Sequence, residues 1–214
     1  MAIEDVWIGR QGLCGQVHWT PQDLGMVVFA HGSGSSRNSP RNRFVATVMH
    51  ECRLATLLFD LLTASEAADR GKVFDIDLLS ERVGEALAWL QAHPAFEPLP
   101  VGLFGASTGA AAALCAAAEH PAQVGAVVSR GGRPDLAGPS LRRVQAPTLL
   151  IVGGLDTEVL ELNRRAMHAL PCEKRLEIVP GASHLFEEPG TLDAAARLAG
   201  AWFAGHLGWI GRSP

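Results

Sequence analysis

The sequence predicts an α/β protein with a doubly wound, mostly parallel sheet and an antiparallel hairpin at its N-terminal edge. Three observations carry this. Short, wholly apolar runs such as Met26–Ala30 and Val101–Phe104 read as strands covered on both faces. Between such runs lie segments with a helical period, as at Ile76, Leu79, Val83, Ala86, Leu87 and Leu90. Chemically able residues fall just after strands, where open α/β sheets gather their function.

In chain order, Val6 to Ile8 and Leu13 to Trp19 read as a hairpin, with Leu13, Gly15, Val17 and Trp19 on one face. Met26 to Ala30 is the first buried strand. A loop from His31 leads to a helix that Asn42 could cap, ending near Arg53. Ala55 to Leu61 is the next strand, and Leu62 to Phe74 reads as a long loop. A helix opened by Asp75 or Asp77 runs to Ala92. Pro94, Pro98 and Pro100 then break the chain before the strand at Val101. Ala110 to Ala118 reads as helix, Val124 to Ser129 as strand and Arg130 to Arg143 as a turn-rich loop. Strand Thr148 to Val152, helix Glu158 to Leu170, strand Leu176 to Val179 and helix Thr191 to Leu207 complete the pattern.

Composition sets bounds. A chain of 214 residues is expected to form one domain over residues 1–214. A net charge of −4 gives no reason to expect nucleic acid as a partner. Cys14, Cys52, Cys115 and Cys172 lie far apart, so neither a metal nor a redox motif is expected. The acidic start, Met1 to Asp5, lacks an apolar signal core, and no run approaches the ~18 apolar residues of a membrane span. The expectation is a cytoplasmic protein without membrane partner, metal or cofactor; oligomeric state is left open.

The chain is organised around Gly105-Ala106-Ser107-Thr108-Gly109. A serine at a very sharp strand-to-helix turn needs a strained backbone. Side chains two positions either side would meet neighbouring backbone, so glycine is used. The hydroxyl then stands beside a helix N-terminus, where free N–H groups and the helix dipole favour developing negative charge. A dinucleotide loop would need Gly-x-Gly-x-x-Gly, which Gly102, Gly105 and Gly109 do not form.

A serine nucleophile needs a base, and the base an orienting acid. Of eight histidines, His31 and His184 follow strands. His184, in Pro180-Gly181-Ala182-Ser183-His184, is the candidate base. Asp156, after Gly153-Gly154-Leu155, is the candidate acid, though a helix cap is an equal reading of it alone. Asp60 competes, and Asp135 is a third choice. The order Ser107, Asp156, His184 is that of hydrolases with a nucleophile elbow. For the oxyanion, Thr108 supplies one N–H and Ser33 the second, with Gly34 as the alternative. The loop His31-Gly32-Ser33-Gly34 lacks the Gly-Lys-Ser/Thr ending of a phosphate cradle.

These four stretches resemble the α/β-hydrolase superfamily, and within it the small dienelactone hydrolase-like group without a full lid domain. The resemblance covers about residues 13 to 207. It implies an α/β-hydrolase fold and a carboxylic ester hydrolase acting on a small ester, lactone or thioester through an acyl-enzyme on Ser107. Dienelactone hydrolases proper use a cysteine there, so Ser107 implies a serine esterase. A binding module on the same fold with a vestigial site is the alternative.

Substrate contacts are expected from His31, Gly32 and Gly34. Arg130 directly follows the strand Val124 to Ser129, and its guanidinium is expected to line the pocket and favour an anionic group.

Overall fold

The structure is a computed structural model, and it describes residues 2–208. Its eight strands are β1 (Ala2–Ile8), β2 (Leu13–Trp19), β3 (Met26–Ala30), β4 (Ala55–Phe59), β5 (Val101–Ala106), β6 (Val124–Arg130), β7 (Thr148–Gly153) and β8 (Lys174–Val179). They form one sheet in the order β1-β2-β4-β3-β5-β6-β7-β8. β1 pairs antiparallel with β2 and β2 with β4; the six strands from β4 to β8 are parallel. This is the α/β fold the apolar runs predict, with its antiparallel N-terminal edge. The reversal of strand order at β3 puts a topological switch between β3 and β5, at whose carboxyl ends a crevice forms.

β3, β4, β5 and β7 are buried at every position, as strands covered on both faces must be. One face carries α4 (Ile76–Ala92) and α5 (Thr108–Glu119), the other α1 (Pro40–Glu51) and α7 (Thr191–Leu207). Residues Thr108 to Ala118 of α5 are all buried. A helix wedged in this way has no solvent face, and alanine lets neighbours approach all round it. Gly102 does the same for α7: a Cβ there would stand 2.5 Å from the Phe203 ring.

Several boundaries differ from the sequence reading. β1 begins at Ala2 because its whole length pairs with β2, although most of it is exposed. α1 starts at Pro40, capped by the Ser39 hydroxyl, which accepts the Asn42 N–H; Asn42 is a buried residue of the first turn. The stretch 62–74 holds two short helices, α2 (Ala64–Ala67) and α3 (Arg70–Val73). Thr63 and Glu66 form a capping box on α2, and Asp69 caps α3. Buried Arg82 of α4, 3% exposed, ties down α2 through Glu66 at 3.2 Å and also reaches Glu85. A 3-10 segment, Pro134–Arg143, follows β6, and α6 (Thr157–Ala169) follows β7. Among the described residues no helix is long and apolar enough to cross a membrane.

Candidate active site

Ser107 directly follows β5, with φ 51° and ψ −122°, a conformation non-glycine residues rarely adopt and one that costs ~1–3 kcal/mol. The flanking glycines are required sterically. A Cβ at Gly105 would stand 2.4 Å from the Ala110 Cα, and one at Gly109 2.2 Å from the Ala30 carbonyl oxygen. The turn is clamped from β6: the Ser107 N–H donates to the Arg130 carbonyl at 3.4 Å, and the Arg133 N–H to the Ser107 carbonyl at 3.0 Å. Thr108 opens α5, so its N–H faces out of the helix N-terminus.

The acid and base come from neighbouring strand ends. Asp156 follows β7 at the position that precedes α6, but its side chain makes no cap hydrogen bond. Its Oδ2 lies 2.6 Å from Nδ1 of His184, which follows β8. Two further contacts lace these loops together. The Leu155 N–H donates to the Ala182 carbonyl at 2.9 Å, and a Cβ at Gly153 would come within 2.3 Å of that same oxygen. Glu188 holds the His184 loop from below by accepting the Ser183 N–H at 2.9 Å, which lowers its carboxyl pKa. Gly131 links this pair to the serine strand: a Cβ there would lie 3.0 Å from the His184 carbonyl oxygen and 3.8 Å from its Cε1. Asp60 is elsewhere, accepting the Arg37 N–H at 2.8 Å and pairing with the Arg37 guanidinium. Asp135 is paired with Arg133 at 2.8 Å.

The loop after β3 reaches the serine. A Cβ at Gly32 would sit 3.0 Å from the Ser107 Cβ. The Ser33 N–H points at the start of α5, where it donates to the Thr108 hydroxyl at 2.9 Å. His31, 8% exposed, commits both ring nitrogens to backbone: Nδ1–H donates to the Gly32 carbonyl and Nε2 accepts the Leu61 N–H, each at 3.0 Å. Burial pushes its pKa down, and the neutral tautomer staples the loop to the end of β4. Its ring therefore has no nitrogen left for a substrate, although His31, Gly32, Ser33 and Gly34 all line a cavity of about 430 Å³.

Arg130 lies apart from the cavity beside Ser33. Its guanidinium lies 6.0 Å from the Phe104 ring centre and 5.7 Å from that of Phe186, beneath the His184 loop. The residue is 7% exposed and is absent from the lining of the cavity beside Ser33. Its Nε and Nη1 have no hydrogen-bond partner among the described residues, and burial, with nearby Arg41, lowers its pKa to about 10. The side chain of an alternating strand goes to one face, and at this register that face is the α1–α7 layer.

Sequence reasoning missed Gly131 and Asn163. Buried Asn163 donates from Nδ2 to the Gly132 carbonyl at 2.9 Å and so fixes the turn against which Ser107 is clamped. The available signal was an asparagine inside the helix that the sequence predicts over Glu158–Leu170, a residue type that helix interiors disfavour. Among the described residues no group of three or more His, Cys, Asp or Glu side chains is placed to hold a metal ion.

Comparison with known proteins shows the family and the fold. The structure is similar to the crystal structure of a dienelactone hydrolase from Anabaena variabilis ATCC 29413, with 53% identity, a TM-score of 0.92, and 96% and 97% of the two chains covered. It shares its fold with an esterase domain from a Rhodothermus marinus protein, at 21% identity, a TM-score of 0.77, and coverage of 97% and 100%. A Mycobacterium tuberculosis protein named a putative phosphoribosyl transferase is 62% identical over 183 residues, which is 86% of this chain and 41% of that protein. The chain thus spans about two fifths of the length of that relative. Residues 63–206 match the model of the dienelactone hydrolase family, and the chain belongs to that family of α/β-hydrolase-fold proteins.

Proposed function

We propose that the protein hydrolyses a carboxylic ester, lactone or thioester of a small molecule through an acyl-enzyme on Ser107. The carrying observation is the 2.6 Å contact between Asp156 and His184, made in place of a helix cap, at the carboxyl end of the sheet, where Ser107 stands strained after β5. Family membership supports hydrolase chemistry.

In this reading Asp156 accepts the Nδ1–H of His184, which leaves Nε2 free to take the Ser107 proton. Ser107 Oγ then attacks the acyl carbon. The negative oxygen of the tetrahedral intermediate is received by the N–H of Thr108 and by the N–H of Ser33 once the Thr108 hydroxyl turns away. His184 returns the proton to the leaving oxygen or sulfur, and the cycle repeats with water on the acyl-enzyme. Each preorganised donor is worth roughly 3–4 kcal/mol in such sites. Gly32 lets the loop lie against Ser107, since a Cβ there would stand 3.0 Å from the Ser107 Cβ.

The name of the longer M. tuberculosis relative describes a protein of which this chain matches 41%. The arrangement of Ser107, Asp156 and His184 supports acyl transfer to water instead. Turnover of p-nitrophenyl acetate tests this: Ser107→Ala is expected to abolish it while leaving thermal unfolding intact. Full activity in a folded Ser107→Ala protein would refute the assignment.

A further inference from the structure

The cavity of about 430 Å³ beside the oxyanion loop has two unlike walls. One is the polar loop after β3, with Ser33, Ser35 and Asn38. The other is apolar and comes from the α2–α3 segment and its surroundings: buried Leu62 and Leu79 at its floor, half-buried Val73, and Ala64 and Ala67 at its solvent-exposed rim. Its one guanidinium, Arg37, is matched by the Asp60 carboxylate in the same cavity, so the lining carries no free cation. At ~30 Å³ per molecule, this is the space of roughly fourteen waters.

Strand order determines which end of an ester would enter it. From Ser107 on β5, β6, β7 and β8 lie on one side and carry Asp156 and His184; β3 and β4 lie on the other and carry the cavity. The leaving group must stand beside His184 to receive its proton. The carbonyl oxygen faces Thr108 and Ser33. The third substituent of the acyl carbon, its chain, is left the side away from His184, where the cavity opens past Ser33 on the loop after β3.

We propose that this cavity is the acyl pocket, that it takes an uncharged apolar chain, and that Ala67 and Val73 set the chain length. This rests on the esterase reading above. It favours a methyl-ended over a carboxylate-ended acyl chain, because a carboxylate would enter a site whose only arginine is already neutralised. The wall is firm enough to select: Arg82 and the Thr63–Glu66 capping box hold α2 in place.

The test is kcat/KM for p-nitrophenyl acetate, butyrate and hexanoate, and for the hydrogen adipate matched to the hexanoate. Each buried methylene is worth about fourfold, so butyrate, with two more, should exceed acetate roughly fifteenfold. The hexanoate should exceed the hydrogen adipate by about as much. In Ala67→Phe the butyrate-to-acetate ratio should fall towards one, and Val73→Phe, from the neighbouring helix, should do the same. Turnover with a flat chain-length profile, an equal or better adipate, or wild-type ratios in both variants would overturn the acyl pocket alone. No turnover of any ester by folded wild-type protein would overturn the esterase reading and the pocket with it.

Discussion

Asp156 Oδ2 lies 2.6 Å from His184 Nδ1, and the two residues reach that contact from the ends of adjacent parallel strands. Twenty-eight positions of sequence separate them, yet one carbonyl, that of Ala182, fastens their loops together. The pair is held chiefly by backbone, with the Glu188 carboxylate bracing the His184 loop through the Ser183 N–H.

Removing the acid's charge should therefore cost chemistry and leave the fold. Asp156→Asn is expected to lower kcat by ~10⁴-fold, the cost of a wrong histidine tautomer in serine proteases, with KM nearly unchanged. Asp60→Asn loosens Arg37 and should cost far less. Steady-state kinetics on both variants checks this; the reverse ranking would make Asp60 the functional acid.

The glycines of the elbow should be among the least replaceable in the chain. Gly105→Ala and Gly109→Ala each drive a Cβ into backbone at 2.4 and 2.2 Å, and overpacking of this kind costs ~1–3 kcal/mol or more. Gly34→Ala meets open space but forces alanine to φ +69°, worth ~1–2 kcal/mol. Urea unfolding should rank the first two below the third.

Thr108 offers a finer test of the oxyanion donors. Its hydroxyl accepts the Ser33 N–H at 2.9 Å and so competes with an oxyanion. Thr108→Ala removes the competitor, and kcat should stay within about threefold of wild type or rise, since the donor itself is worth 10²–10³. A hundredfold loss would mean that the hydroxyl tie is what holds the loop.

Arg130 should prove unimportant for substrate charge. The buried guanidinium packs against Phe104 and Phe186 with its Nε and Nη1 unpaired, and a buried charge costs free energy unless it is paired and hydrogen-bonded. Arg130→Met should unfold no earlier than wild type. The ratio of kcat/KM for a matched anionic and neutral ester pair should not move; a fall of tenfold or more in that ratio would restore Arg130 as an anion receptor.

Stability should weaken on the acid side of neutrality. His31 has its pKa lowered from 6.5 by burial, and His18 and His50 shift the same way for the same first reason. The unfolded chain then binds more protons than the native state just below 6.5, so stability rises with pH through that window and is lost as pH falls through it. Urea unfolding on either side of 6.5 should show the drop, and His31→Asn should remove part of it. A flat profile would mean that the folded ring accepts a proton freely.

Much of this was legible in the sequence because it depends on local rules. Apolar runs such as Met26–Ala30 mark central strands, and glycines at Gly105 and Gly109 mark a turn that no side chain could enter. Asp156 and His184 were readable because each follows a strand. What escaped depends on tertiary context. Nothing near Arg130 states that its strand turns that position to the α1–α7 layer. That the Ser33 N–H meets the Thr108 hydroxyl, 75 positions away, follows only from the packing of α5 against the loop after β3. The helices α2 and α3 were signalled by Thr63, Glu66 and Asp69, but four-residue helices give no period to read.

The central claim is that Ser107 is the nucleophile, and the most direct measurement is covalent. The protein is treated with a fluorophosphonate, digested, and mapped by mass spectrometry. The expected result is a single phosphonyl adduct on the peptide carrying Ser107, slowed severely in Asp156→Asn and absent in Ser107→Ala. An adduct on another residue, or none at all in folded wild-type protein, would contradict it.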